Sequence, residues 1–314
     1  MKIIDRYRQI YFDKIVSKCK GVILEYSPTA NIHEFRPFSH GVGPHAVEQL
    51  GRIMRQNLLF YCYGEEEIVS HYEQGTFSNL EEAAQHAYEW RLPKRSLASD
   101  GLPGEVLLDL LVQLYAPAPF KLAVRPMLRQ FDNNEIKGYD LAYFTLSDKG
   151  EIALWLGQAK LGDKMYCKTG IHTDLVKKFA EDYFSAQLFF VCDKPAGTTP
   201  EAKTISSIIN KINIANAKET DTIRQAALMK CFDEYHISVY IPCLLAYGAE
   251  CVYKNPSEIC TQIERESSEM QSYFLSHKYT FSGFAPHILF YIFPIEDITR
   301  LRDKGSGFYA GLRK

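Results

Sequence analysis

Lys137-Gly-Tyr-Asp140-Leu-Ala-Tyr-Phe-Thr-Leu146 and Glu151-Ile-Ala-Leu-Trp-Leu-Gly-Gln158-Ala-Lys160-Leu161 are two extended runs separated by a short turn. From Glu151 onward the residues are apolar on both alternations, with Ile152, Leu154 and Leu156 on one row and Ala153 and Trp155 on the other. A strand covered on both faces reads this way. Side chains two apart share a face, so Gln158 and Lys160 extend the Ile152 row. In the first run Asp140 opens a row continued by Ala142, Phe144 and Leu146. Polar groups on a buried face are costly unless paired or metal-bound, which makes Asp140, Gln158 and Lys160 the residues to explain.

Working outward, Ser147-Asp-Lys-Gly150 is the turn between the two runs, and Asp132-Asn-Asn-Glu135 is a second turn preceded by a predicted strand over Ala118–Phe131. Before that, Glu105 to Tyr115 predicts a helix: Leu107, Leu110, Leu111 and Leu114 form its apolar stripe, and Glu105, Asp109 and Gln113 line the other side. The local order is therefore helix, then three strands joined by short turns. Past Lys160, Leu175, Val176, Phe179 and Tyr183 share a helical face, and Leu188–Cys192 is a further apolar run. Glu201–Lys230 and Glu258–Leu275 read as helical, while His236–Tyr247 and His287–Pro294 read as strands, the last followed by a short helix from Ile295. In the first third, Gly21–Tyr26 reads as a strand, and His45–Tyr63 and Leu80–Leu92 as helices. The turn-rich stretch Pro93–Gly104 predicts a boundary between an N-terminal α+β region (1–95) and a larger α/β domain (96–314).

The 314 residues carry 36 Lys and Arg against 38 Asp and Glu, a net charge of −2 that excludes a globally basic nucleic-acid binder but not a local basic cleft. Lys164, Lys168, Lys177 and Lys178 form such a local cluster and are candidate phosphate contacts; a solvated helix face is the bland alternative. The eight cysteines form no C-x-x-C pair and read as reduced thiols of a cytoplasmic protein. No signal-peptide pattern or membrane-spanning run is evident.

A helix acid, a strand Asp and a strand ending Gln-x-Lys together suit metal-dependent phosphodiester hydrolysis. Mg²⁺, or Mn²⁺, takes hard oxygen ligands, which Glu105, Asp140 and the amide carbonyl of Gln158 can supply. Lys160, on the same row as Gln158, is placed to orient a water or offset developing charge. Taken singly each residue has a structural reading: Glu105 as a first-turn acid, Asp140 as a turn residue, Gln158 bonded to the backbone, Lys160 snorkelling. The four in this order carry the functional one.

The blocks Gly-Glu105-x-Leu-Leu, Lys-Gly-Tyr-Asp140, Leu-Trp-Leu-Gly-Gln-Ala-Lys160 and Ile-Phe-Pro-Ile-x-Asp-Ile-x-x-Leu-Arg302 resemble the HamA-type nuclease subunit of the Hachiman antiphage defence system. The resemblance covers most of the chain and is strongest from Ser99 to Lys160. It implies a core similar to the PD-(D/E)xK restriction-endonuclease superfamily: a mixed sheet in the order helix, three strands, helix, strand. It further implies a DNA nuclease with a superfamily-2 helicase partner, which senses aberrant DNA and releases the nuclease. By matched position Asp140 is a metal ligand, Lys160 the catalytic lysine and Glu105 the helix acid, with region 1–95 left for partner docking. Position 158 is Gln where that family usually has Glu, removing one negative charge from the cation site. A single-metal site, dependence on Mn²⁺, and a weakened or inactive helicase-docking or DNA-binding module all follow from that exchange as alternatives.

Overall fold

The computed structural model describes residues 2–93, 100–115, 138–147, 149–180, 184, 200–217, 220–281 and 283–312. Its centre is a seven-stranded mixed sheet in the order β1 (Ile23–Glu25), β3 (Glu34–His40), β7 (His287–Ile295), β6 (Ser238–Gly248), β5 (Ile152–Gly162), β4 (Leu141–Leu146), with β2 (Thr29–Ala30) paired to β3. The inner run β3-β7-β6-β5 is parallel, and β1, β2 and β4 close it with antiparallel pairs. Parallel strands need cover on both faces. Accordingly every residue of β7 after His287 is buried, as are most of β5 and β6.

The helices around the sheet are α1 (Ile3–Tyr11), which leads through a π turn into α2 (Ser17–Cys19), then α3 (Ala46–Gln56), α4 (Leu58–Cys62), α5 (Glu65–Glu73), α6 (Leu80–Trp90), α7 (Leu102–Tyr115), α8 (Lys164–Lys177), α9 (Pro200–Asn216), α10 (Asp221–Glu234), α11 (Glu250–Tyr253), α12 (Ile259–Leu275) and α13 (Ile298–Leu301). The segment α7, β4, β5, α8, later β6, is the expected α/β order, compatible with a nuclease-like core. The expected strand at Ala118–Phe131, the turn at Asp132–Glu135 and the apolar run Leu188–Cys192 lie outside the described residues. Glu201–Lys230 resolves into two helices, and the helix read around Leu175 begins earlier, at Lys164, where Asp163 accepts the Tyr166 N–H as its cap.

Register at one end of the sheet is set by an aromatic row that crosses four strands. Trp155 stacks on Tyr240 (4.5 Å between centroids), and Tyr240 on His287 (4.7 Å). Tyr143 flanks Trp155 from β4, and the indole N–H donates to Thr145 Oγ1 at 2.9 Å. A one-residue slip would send each of these rings to the opposite face.

The division at residue 95 does not coincide with a break in the sheet. β3 pairs with β7, from the far end of the chain, and Phe35 and Phe38 stack on Phe290 and Tyr291 in the common core. β3 was unread in the sequence because Pro37 interrupts a run already broken by Arg36 and Ser39. At its end His40 is fully buried, stacked on Tyr253 at 4.1 Å, with Nδ1 donating to Gly41 O (2.6 Å) and Nε2 accepting the Glu296 N–H (3.0 Å). Burial pushes this imidazole down to about 4 from 6.5, the backbone bond to Gly41 opposing it. The unfolded chain therefore takes up the proton first, so the stabilisation is complete above about pH 6.5 and is lost as pH falls toward 4. Urea melts from pH 7 to 4 are expected to show wild type losing roughly 3 kcal/mol more than His40→Gln over that range; parallel slopes would contradict this role for His40.

Candidate active site

β5 is sandwiched between two helices. On one face Gly157, Ala159 and Leu161 meet α7: a Cβ on Gly157 would lie 2.8 Å from Leu108 Cδ2, and one on Gly104 would lie 3.2 Å from Leu161 Cβ. Glycine at these two positions lets the helix and strand touch. On the other face Gln158 and Lys160 lie beneath α8. The Asp140 N–H donates to Gly157 O (3.0 Å), continuing the β4–β5 register one residue so that Asp140 stands across from Gln158. Its carboxylate then accepts the Ala159 N–H at 2.8 Å.

α8 completes the cluster with two residues that the sequence reading did not place there. Asp174 accepts from Lys160 Nζ at 2.5 Å. Lys178, at the helix C-cap, donates to Gln158 Oε1 at 2.5 Å and Gly138 O at 3.2 Å, and stands 3.6 Å from Asp174. Gln158 has no exposed surface, and its Nε2 has no hydrogen-bond partner among the described residues. Burial raises the Asp140 carboxyl above the ordinary range, the charge of Glu105 raises it further, and Lys178, Lys160 and the Ala159 N–H pull it back. For Lys160 burial lowers the ammonium, but Asp140 and Asp174 outweigh it and leave it above the usual lysine value. Asp174 and Lys178 were readable only as part of a lysine-rich helix, because nothing in their spacing fixes which way the helix end turns.

Glu105 enters from the opposite side of the strand. It is buried in the first turn of α7, and its Oε2 accepts the Tyr61 hydroxyl at 2.7 Å. Its charge adds to the upward push on the Asp140 carboxyl. The stripe Glu105, Asp109, Gln113 faces the N-terminal helices: Asp109 Oδ2 accepts from Asn57 (3.0 Å) and Gln113 (2.7 Å), and the Gln113 carbonyl accepts the Tyr7 hydroxyl (2.7 Å). Buried polar groups of this kind must be satisfied, and residues from α1, α3 and α4 do so. The Arg302 guanidinium donates to Asp100 O and Leu161 O, both at 3.3 Å, and so ties the entrance of α7 to the end of β5.

The structure divides the four candidate DNA-contacting lysines. Lys164 pairs with Glu266 (2.8 Å) and Glu269, and the mostly buried Lys168 pairs with Glu269 (3.0 Å), joining α8 to α12. Lys178 belongs to the cluster around Gln158, and Lys177 is exposed. Among the described residues no group of three or more His, Cys, Asp and Glu side chains is arranged as a metal site. A cation here would rest on Asp140, with Glu105 in reach and the neutral Gln158 carbonyl alongside, a hard oxygen set that fits Mg²⁺ or Mn²⁺.

Lys160 owes its path to Gly170 in α8, where a Cβ would fall 2.9 Å from the lysine Cε. Alanine suits a helix interior better than glycine by about 1 kcal/mol, and the group it meets is a flexible stem. Gly170→Ala is therefore expected to melt at or above the wild-type temperature while displacing Lys160. A lowered melting temperature, or loss of the Lys160–Asp174 pair without movement of the stem, would contradict this account.

No helix among the described residues is long and apolar enough to cross a membrane. No curated protein matches the chain. The HamA family model matches residues 10–312, nearly the whole length, and includes Glu105, Asp140, Gln158, Lys160, Asp174 and Lys178. The chain therefore belongs to the HamA family, components of Hachiman antiviral defence.

Proposed function

We propose that this HamA protein is the metal-dependent DNA nuclease subunit of its defence system, with a PD-(D/E)xK-like site formed by Glu105, Asp140, Gln158 and Lys160. The observation that carries the reading is the meeting of Asp140, Gln158 and Lys160 on one face of the β4–β5 pair, with Glu105 acting on Asp140 from the other side. Asp140 and Glu105 would hold the ion, with the Gln158 carbonyl beside them. When bound, the ion supplies Lewis acidity toward the phosphoryl oxygen and an acidified water.

The protein's own groups do the rest. The Ala159 N–H fixes the orientation of Asp140, and Asp174 holds the Lys160 ammonium at the edge of the cluster. From there Lys160 donates to a non-bridging phosphate oxygen and offsets the charge that builds up as the attacking oxygen approaches. Lys177, exposed on α8, contacts DNA backbone, and a superfamily-2 helicase docks on the N-terminal region and controls access. Neither contact reads base identity, which suits degradation without sequence choice.

With its helicase and Mg²⁺ or Mn²⁺, the protein is expected to degrade plasmid DNA, and Lys160→Ala and Asp140→Asn to slow this by at least about a hundredfold. Equal degradation by wild type and both variants would overturn the assignment. A second reading, a docking module without catalysis, is favoured by one observation: the Gln158 oxygen is already taken by Lys178. Under it wild type is inert in the same assay and Gln158→Glu creates activity.

A further inference from the structure

We propose that Lys178 is a built-in cation of this site, standing beside position 158 in place of a second metal ion and presenting its charge to the substrate phosphate. The inference rests on the nuclease reading and assigns a role to a residue outside the four named for it.

The Nζ sits in a cage of oxygens drawn from three elements: Gln158 Oε1 of β5 at 2.5 Å, Gly138 O ahead of β4 at 3.2 Å, and Asp174 Oδ2 of α8 at 3.6 Å. An ammonium has three hydrogens to donate, and an all-oxygen surround is what a hard cation also selects. The lysine is held from its backbone as well as its tip. Its N–H donates to Asp174 O (2.8 Å), its carbonyl accepts the Tyr139 hydroxyl (2.8 Å), and Tyr139 packs on Phe179 at 5.3 Å between ring centres. The segment Gly138-Tyr139-Asp140 thus positions the Asp140 carboxylate and the Lys178 ammonium together.

The amide at position 158 bears on the charge that Lys178 keeps. Asp174 lies closer to Lys160 than to Lys178, so Lys178 receives the weaker share of that carboxylate. A glutamate at 158 would neutralise Lys178 in a direct ion pair. The amide at 158 binds the ammonium through its oxygen without cancelling its charge, which stays available to an incoming phosphodiester. Beside Gln158 the ammonium thus keeps a larger part of its charge than it would beside a carboxylate.

Calorimetric titration of the full chain with Mn²⁺, paired with plasmid cleavage at saturating Mn²⁺, tests this. Wild type is expected to take up one ion. Lys178→Met, which removes a positive charge near the ion, should bind Mn²⁺ about tenfold more tightly. It should nevertheless cleave at least about a hundredfold more slowly. Lys178→Arg should keep wild-type affinity, and Gln158→Glu alone should still take up one ion because Lys178 pairs with the new carboxylate. Gln158→Glu with Lys178→Met should take up two. Unchanged or weaker Mn²⁺ affinity in Lys178→Met, undiminished cleavage by it where wild type cleaves, or a second ion in Gln158→Glu alone would each overturn the proposal. If wild type cleaves no DNA, the nuclease reading fails, and the affinities and stoichiometries still decide whether Lys178 occupies an ion position.

Discussion

A carboxylate set between a sheet and its covering helices is stable only if the protein shares out its charge, and Asp140 is such a group. The Ala159 N–H accounts for part of that sharing, Lys160 and Lys178 for more, and Glu105 works against it. A fold selected for stability alone gains by replacing a buried ionic cluster with apolar residues of similar volume. Here Asp140, Asp174, Lys160 and Lys178 are retained around one end of β5, with a fully buried glutamine among them. That arrangement is intelligible as an ion and phosphate site.

Much of the remaining structure serves to bring this end of β5 together with α7 and α8. Gly157 and Gly104 permit the close approach of α7, and Arg302 fastens its entrance to the strand end. The late block ending in Arg302, nearly the last described segment of the chain, is thus a clamp on the helix that carries Glu105. The N-terminal helices have a similar part: Tyr61 bonds Glu105, and Asn57 and Tyr7 satisfy the polar stripe behind it. A partner that shifts α4 would act on Glu105 through Tyr61.

The sheet core was legible because β5 and β7 are apolar on both alternations and α7 has a clean stripe of leucines. The row Asp140, Gln158, Lys160 followed from the two-residue period of a strand and the hairpin turn, where Gly150 takes a positive φ of 82°. β3 escaped notice because proline and polar residues mask a strand whose pairing comes from the opposite end of the chain. Asp174 escaped, and Lys178 was legible only as a candidate phosphate contact, because a helix face rich in lysine reads as solvated. Only the tertiary placement of α8 over β5 turns its C-terminal end inward, and directs Lys164 and Lys168 into ion pairs with α12.

On the proposed reading, side chains from α7, the entry to β4 and β5 hold one cation. Anomalous diffraction from crystals grown with Mn²⁺ tests it most directly. A single strong peak is expected on the Asp140 carboxylate, approached by the Gln158 carbonyl from one side of β5 and by Glu105 from the other. A peak elsewhere, or one approached by none of these oxygens, would contradict it.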